Sequence, residues 1–246
     1  MRLCIDWGNT LVKAAVFDAS HKIVEQISWE RADAEEGIRS IVASVNPQAA
    51  AFCSVTNHPA SVEAFLNENT PRFVALDNNT PLPIMNAYHS PETLGADRLA
   101  MVVAMNQEYP DKNNLVVALG TCITYNFVHK NRTFRGGAIS PGLEMRLQAM
   151  HQFTDKLPEV SREGELLLLG YDTETCMRSG AIYGMAAEIH GMLQAYSSEY
   201  PDFNAVLTGG DAAFFARQLK NKIFAAPDLV LKGLYSILLH NVPQLR

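Results

Sequence analysis

Asp6 closes an apolar run, Leu3-Cys4-Ile5, and is followed by Trp7-Gly8-Asn9-Thr10 and then Lys13. A glycine-containing turn admits a ligand close to the backbone, and the groups gathered here are those that cradle a phosphate: N–H groups around Gly8 and Asn9, the Thr10 hydroxyl and the Lys13 ammonium. Asp6 beside them suits a phosphate-bound cation. The same residues equally suit an ordinary hairpin with one strand-end acid, because Gly and Asn accept the positive φ of a tight turn. The theme recurs at Ala118-Leu119-Gly120-Thr121 with Thr124, where Gly120 matches Gly8 and Ala118 matches Asp6. Thr208-Gly209-Gly210 precedes a helical stretch, so its N–H groups and the helix dipole would face an anion, though plain strand-to-helix turns look alike. Gly95-Ala96-Asp97-Arg98 opens an apolar helix. An acid in a first turn is kept ionised by the helix N-terminus and can accept a hydroxyl proton; it can equally cap the helix or pair with Arg98.

The elements that carry these groups read as α/β. A strand–turn–strand unit over 2–18 is followed by a third strand at 22–29, a helix at 33–45, a buried strand at 49–55, a helix at 59–67 and a strand at 72–76. That order is the order of a ribonuclease-H-like unit. The Asn/Pro/Ser/Thr-rich stretch 77–93 reads as loop and leads into a helix from 94 to 105. Pro110 to Asn114 is the best boundary, dividing the chain into 1–110 and 111–246. The second part starts with two strands over 115–128, and Arg135-Gly136-Gly137 to Gly142 leads into a helix at 143–152. A long helix covers 173–198, a strand 205–207, a helix starts at Ala212, and Pro227-Asp228-Leu229 starts the last one. The expected fold is a duplicated ribonuclease-H-like pair of domains, the actin-like ATPase arrangement, with residues 6–10, 120–124 and 208–210 facing an interdomain cleft.

Composition narrows the function classes. The chain has 246 residues, 48% hydrophobic and 19% charged, which fits an ordinary folded protein. A net charge of −6 with no basic cluster argues against sequence-independent nucleic-acid binding. No apolar run approaches the length of a membrane span, and Asp6 interrupts the N-terminal apolar segment too early for a signal peptide, so a cytoplasmic protein without membrane contact is expected. Cys4, Cys53, Cys122 and Cys176 have no C-x-x-C spacing, and the seven histidines show no ligand spacing. There is neither a Gly-x-x-x-x-Gly-Lys-Ser/Thr loop nor a Gly-x-Gly-x-x-Gly fingerprint.

Taken in order, these motifs resemble the type III pantothenate kinases of the acetate and sugar kinase, Hsc70 and actin superfamily. Asp6-Trp7-Gly8-Asn9-Thr10 with Lys13 resembles the first phosphate motif, and Tyr88 with Pro91 to Arg98 resembles the substrate motif. Gly136 to Gly142, Leu157-Pro158, Gly170 to Thr173, Ser179-Gly180 and the adenosine-side turn Thr208-Gly209-Gly210 follow the family order. The resemblance implies transfer of the γ-phosphoryl of ATP to the primary hydroxyl of pantothenate, giving 4'-phosphopantothenate in the first step of coenzyme A synthesis. It makes Asp97 the general base, and makes Tyr88, Gly95, Ala96, Asp97 and Arg98 pantothenate contacts, joined by Thr173 from the second subunit of a homodimer. It assigns ATP phosphates to Asp6, Gly8, Asn9, Thr10 and Lys13 and to Gly120, Thr121 and Thr124. It also implies Mg2+, with Asp6 as a ligand, and stimulation by K+ or NH4+.

The sequence departs from the family at Ala118, usually an Asp, and at Asn126, where a second Asp is usual. Missing carboxylates weaken charge handling at a phosphoryl-transfer site. They raise an alternative, a catalytically weakened relative that binds nucleotide or pantothenate in a regulatory role, and the expectation that activity is weak.

Overall fold

Residues 1–219 and 223–245 are described by the computed structural model, and the chain divides into two contact units. The first holds Met1–Asp111, Asn131–Arg135 and Asp228–Arg246; the second holds Lys112–Lys130 and Gly136–Pro227.

In the first unit, β1 (Arg2–Trp7), β2 (Leu11–Phe17) and β3 (Ile23–Glu30) form a meander, followed by α1 (Ala34–Val45), β4 (Ala49–Ser54), α2 (Ala60–Asn69) and β5 (Phe73–Ala75). The sheet order is β3-β2-β1-β4-β5, with β1–β2 antiparallel and β1–β4 and β4–β5 parallel. β1 and β4 are almost wholly buried, as continuous apolar strands covered on both faces must be. Asn46 ends α1 in the left-handed conformation, its N–H bonded to the Val42 carbonyl. The stretch 77–93 is not all loop. It holds β6 (Met85–Asn86), whose residues pair with Thr133 and Phe134 of the same unit. α3 (Ala96–Glu108) follows.

The second unit repeats the theme with β7 (Asn113–Leu119), β8 (Cys122–His129), β9 (Thr133–Pro141, which enters this unit at Gly136), α4 (Leu143–Gln152), α5 (Thr173–Glu199), β10 (Phe203–Thr208), α6 (Ala212–Gln218) and β11 (Phe224–Ala225). Its strands run β11-β10-β7-β8-β9, again with an antiparallel first pair and parallel outer pairs. β1, β2, β3, β4 and β5 therefore correspond to β7, β8, β9, β10 and β11. This is the duplicated α/β architecture the sequence implies.

Three expectations change. Residues 133–141, read only as the lead into the helix at 143–152, form a strand. Gly136 and Gly137 both have positive φ, 89° and 154°, and a Cβ on Gly137 would strike the Tyr125 carbonyl, so these glycines serve a close strand approach. Gly8 and Asn9 are not among the positive-φ residues. Gly8 is needed because a Cβ there would lie 2.9 Å from the Leu11 carbonyl oxygen, which accepts the Gly8 N–H. The third concerns the last helix, α7 (Leu229–Asn241), expected with residues 111–246. It belongs to the first unit, crossing α3 where Gly233 lets the helix reach the Ala100 backbone.

Candidate active site

Two carboxylates of the first unit, Asp6 and Asp97, are near enough for the charge of one to act on the other. β1 delivers Asp6 at its buried end, in register between Lys13 of β2 and Cys53 of β4. α3 delivers Asp97 in its first turn. Gly95, the N-cap, has no side chain to receive the helix N–H groups, so Asp97 Oδ1 accepts the Arg98 N–H at 2.8 Å. The capping and catalytic readings of Asp97 are thus compatible, since the Arg98 N–H takes only Oδ1. A Cβ on Gly95 would lie 2.6 Å from Asp97 Oδ1, so glycine keeps the carboxylate in place.

Burial dominates the electrostatics. It raises the Asp6 pKa to about 7, helped by the charge of Asp97 and opposed by the Cys53 thiol, 3.5 Å away, and by Lys13. Burial also raises Asp97, against the Arg98 N–H and guanidinium. Desolvation therefore outweighs the helix N-terminus in setting the direction of the Asp97 shift. A carboxylate moved upward toward neutral pH is the better proton acceptor.

Arg98 is 6% exposed, with its guanidinium 5.5 Å from the Tyr88 ring centroid and 5.8 Å from that of Phe134. Tyr88 and Phe134 stack at 6.0 Å. So Tyr88, Gly95, Asp97 and Arg98, expected together from the resemblance, do come together, with Ala96 between Gly95 and Asp97 in the chain. Phe134 and Cys53 were not anticipated. Phe134 lies between the stretches that read as elements, and nothing in the spacing of Cys53 points to Asp6. Asn9 and Thr10 form the exposed tip of the β1–β2 hairpin.

In the second unit, Ala118 occupies the place of Asp6, in register between Thr124 of β8 and Thr208 of β10. Hydroxyls flank this position where lysine and thiol flank Asp6. Asn126, fully buried, donates to Thr124 Oγ1 at 3.0 Å and to the Val116 carbonyl at 3.3 Å, so it serves the hairpin. The turn after β7 is one residue shorter than that after β1, since Leu119 pairs with Ile123 whereas Trp7 pairs with Val12. Gly120 and Thr121 are held against Gly142, whose N–H donates to the Thr121 carbonyl at 3.1 Å. Gly209, at φ 92°, packs on the Leu119 backbone, and the Asp211 N–H reaches the Leu119 carbonyl at 3.2 Å. Gly120, Thr121, Thr208 and Gly209 thus cluster at the end of β7, with Gly210 exposed beside them. Thr173 lies apart from that turn, exposed in the first turn of α5, which Asp172 and Thr175 close with a capping box.

Comparison with known proteins fixes the family. A family model described as type III pantothenate kinase matches residues 2–195. The chain is 42% identical over 241 residues to a type III pantothenate kinase of Bacteroides fragilis, covering 98% of each chain. It is 40% identical over 241 residues to one of Phocaeicola vulgatus, covering 98% of this chain and 99% of the relative. This chain belongs to the type III pantothenate kinases. It is a kinase of the ATP-dependent pantothenate phosphorylation that starts coenzyme A synthesis. These matches do not favour the regulatory alternative raised by Ala118 and Asn126. Among solved structures, the activator of 2-hydroxyisocaproyl-CoA dehydratase from Clostridium difficile shares the fold, with TM-score 0.54 at 11% identity, covering 99% of this chain and 95% of that one.

No cluster of three or more His, Cys, Asp or Glu side chains forms a metal site among the described residues. That donor set still fits Mg2+ arriving with ATP, which needs only one or two protein carboxylates besides the phosphates. No helix among the described residues is long and apolar enough to cross a membrane.

Proposed function

We propose that Asp97 is the general base and that Asp6 helps hold Mg2+ on the phosphates of ATP. The observation carrying this reading is the pair itself: Asp97, in the first turn of α3, is close enough to Asp6 for its charge to raise the Asp6 pKa. Asp97 takes the proton of the primary hydroxyl as that oxygen bonds to the γ-phosphorus and the bond to ADP breaks. Phosphoryl transfer asks mainly for positioning and charge neutralisation, which bound Mg2+ supplies on the phosphates. Lys13 and the Gly8, Asn9 and Thr10 hairpin tip are assigned to phosphate. Gly120, Thr121 and Thr124 take the second phosphate contact, and Thr208, Gly209 and Gly210 the adenosine side. Arg98, held over Tyr88 and Phe134, is assigned to the pantothenate carboxylate, the charge an arginine fork matches.

The working unit in this proposal is a homodimer in which Thr173 of the partner subunit completes the pantothenate site. Support comes from α5. Thr173, Cys176, Gly180, Gly184, Ala187 and Gly191 fall on one exposed helical face, and a Cβ at Gly180, Gly184 or Gly191 would meet nothing within 4 Å. Such a strip lets a second helix approach closely. A monovalent cation, K+ or NH4+, completes the set. The test is a coupled ADP-release assay with direct detection of phosphopantothenate. Release should require pantothenate and rise with K+ or NH4+. Release that ignores pantothenate would sink the substrate assignment.

A further inference from the structure

We propose that the first unit carries a second ligand site, away from the kinase residues, for an organic anion with an apolar body. A cavity of about 930 Å³ opens between the β2–β3 connection, the C-terminal half of α3 and α7. That volume is in the range of small-molecule sites. Its floor is apolar: Phe17 and Tyr235 stack at 3.9 Å with their planes 3° apart, and Val103 and Leu239 adjoin them. Asn106, 8% exposed, adds a carboxamide to the lining.

The rim is cationic. Lys22, Arg132, Lys232, His21 and His240 line the cavity and no Asp or Glu does, in a chain of net charge −6. Among the described residues, Lys22, Arg132 and Lys232 form no ion pair. Apolar floor and unpaired cations together select a carboxylate or phosphate borne on an apolar body. Neither bare phosphate nor a neutral lipid fits both. None of the residues assigned to ATP or pantothenate lines this cavity. Val103 lies six residues beyond Asp97 on α3, roughly 9 Å along the axis.

The test is calorimetric titration of the full chain with decanoate, and separately with inorganic phosphate and with ATP already bound. Saturable decanoate binding with Kd below about 1 mM is expected, unaffected by ATP and at least about tenfold weaker in the Arg132→Glu/Lys232→Glu variant, whose pantothenate-dependent turnover should be unchanged. If that variant does not fold, Ser236→Trp, which fills the cavity from α7, should abolish binding instead. The proposal is overturned by no saturable binding at about 5 mM. It is equally overturned by equal binding in the folded variants, displacement by ATP, or inorganic phosphate binding as tightly as decanoate.

Discussion

With its pKa pushed up to about 7, chiefly by burial, Asp6 holds a proton more tightly in the folded chain than at its ordinary value of 3.8. A group raised in this way stabilises the fold below about pH 4, and that contribution is lost as pH rises through about 7. Asp6→Asn removes the ionisation, so the variant should be more stable than the parent at pH 8 by on the order of 2 kcal/mol, with the gap closing toward pH 4. Thermal melts across that range check it; a gap independent of pH would contradict it. Loss of activity in the same variant would mean that the site holds a charge at the expense of stability. Ala118 is the complementary case. A carboxylate placed between the Thr124 and Thr208 hydroxyls has donors at hand and Gly120 leaves space, so Ala118→Asp should raise turnover several-fold, through better neutralisation in the transition state. Robust turnover that this change leaves flat or lowers would show a site rebuilt around the alanine. Sequence reading identified Asp6 and Asp97 singly, from a strand end and a helix start. Their juxtaposition, and the part of Cys53 and Phe134 in it, arises from long-range packing that no local spacing records.

At the scale of elements, the glycines at the end of β7 matter most. Gly209 is in the left-handed region and its missing side chain leaves room for the Leu119 backbone. Gly209→Ala should cost about 1–3 kcal/mol from backbone strain alone, more with the clash. That lowers Tm by roughly 2–4 °C per kcal/mol, and ATP affinity should fall with it. A variant with unchanged melting would contradict this packing. The hairpins at 2–17 and 113–129 and the long α5 were legible because their signals are local: apolar runs around Gly8 and Gly120, and a long apolar-rich stretch from Thr173; the Asp172–Thr175 cap emerged only in the structure. β9 was hidden because its glycines serve a neighbour strand, and the docking of α7 on α3 was hidden because only Gly233 marks it.

For the whole molecule, the order β3-β2-β1-β4-β5 and its counterpart in the second unit show that two copies of one α/β theme were elaborated differently, with the carboxylate kept at Asp6 and absent at Ala118. The proposed assembly is tested at Gly184. Gly184→Ala would favour an isolated helix by about 0.5–1 kcal/mol, whereas Gly184→Arg should convert a dimer to a monomer and lower pantothenate turnover together. Sedimentation showing a monomer in the parent, still fully active, would remove the partner's Thr173 from the site. The central claim is that Asp97 accepts the pantothenate proton, and the most direct measurement is the turnover of Asp97→Asn at saturating ATP and pantothenate. A fall of about 10²-fold or more in kcat, with the KM for ATP nearly unchanged, is the result this account predicts. A variant that retains more than about a third of the parent's turnover would contradict it, because a loss below about threefold is too small for a general base.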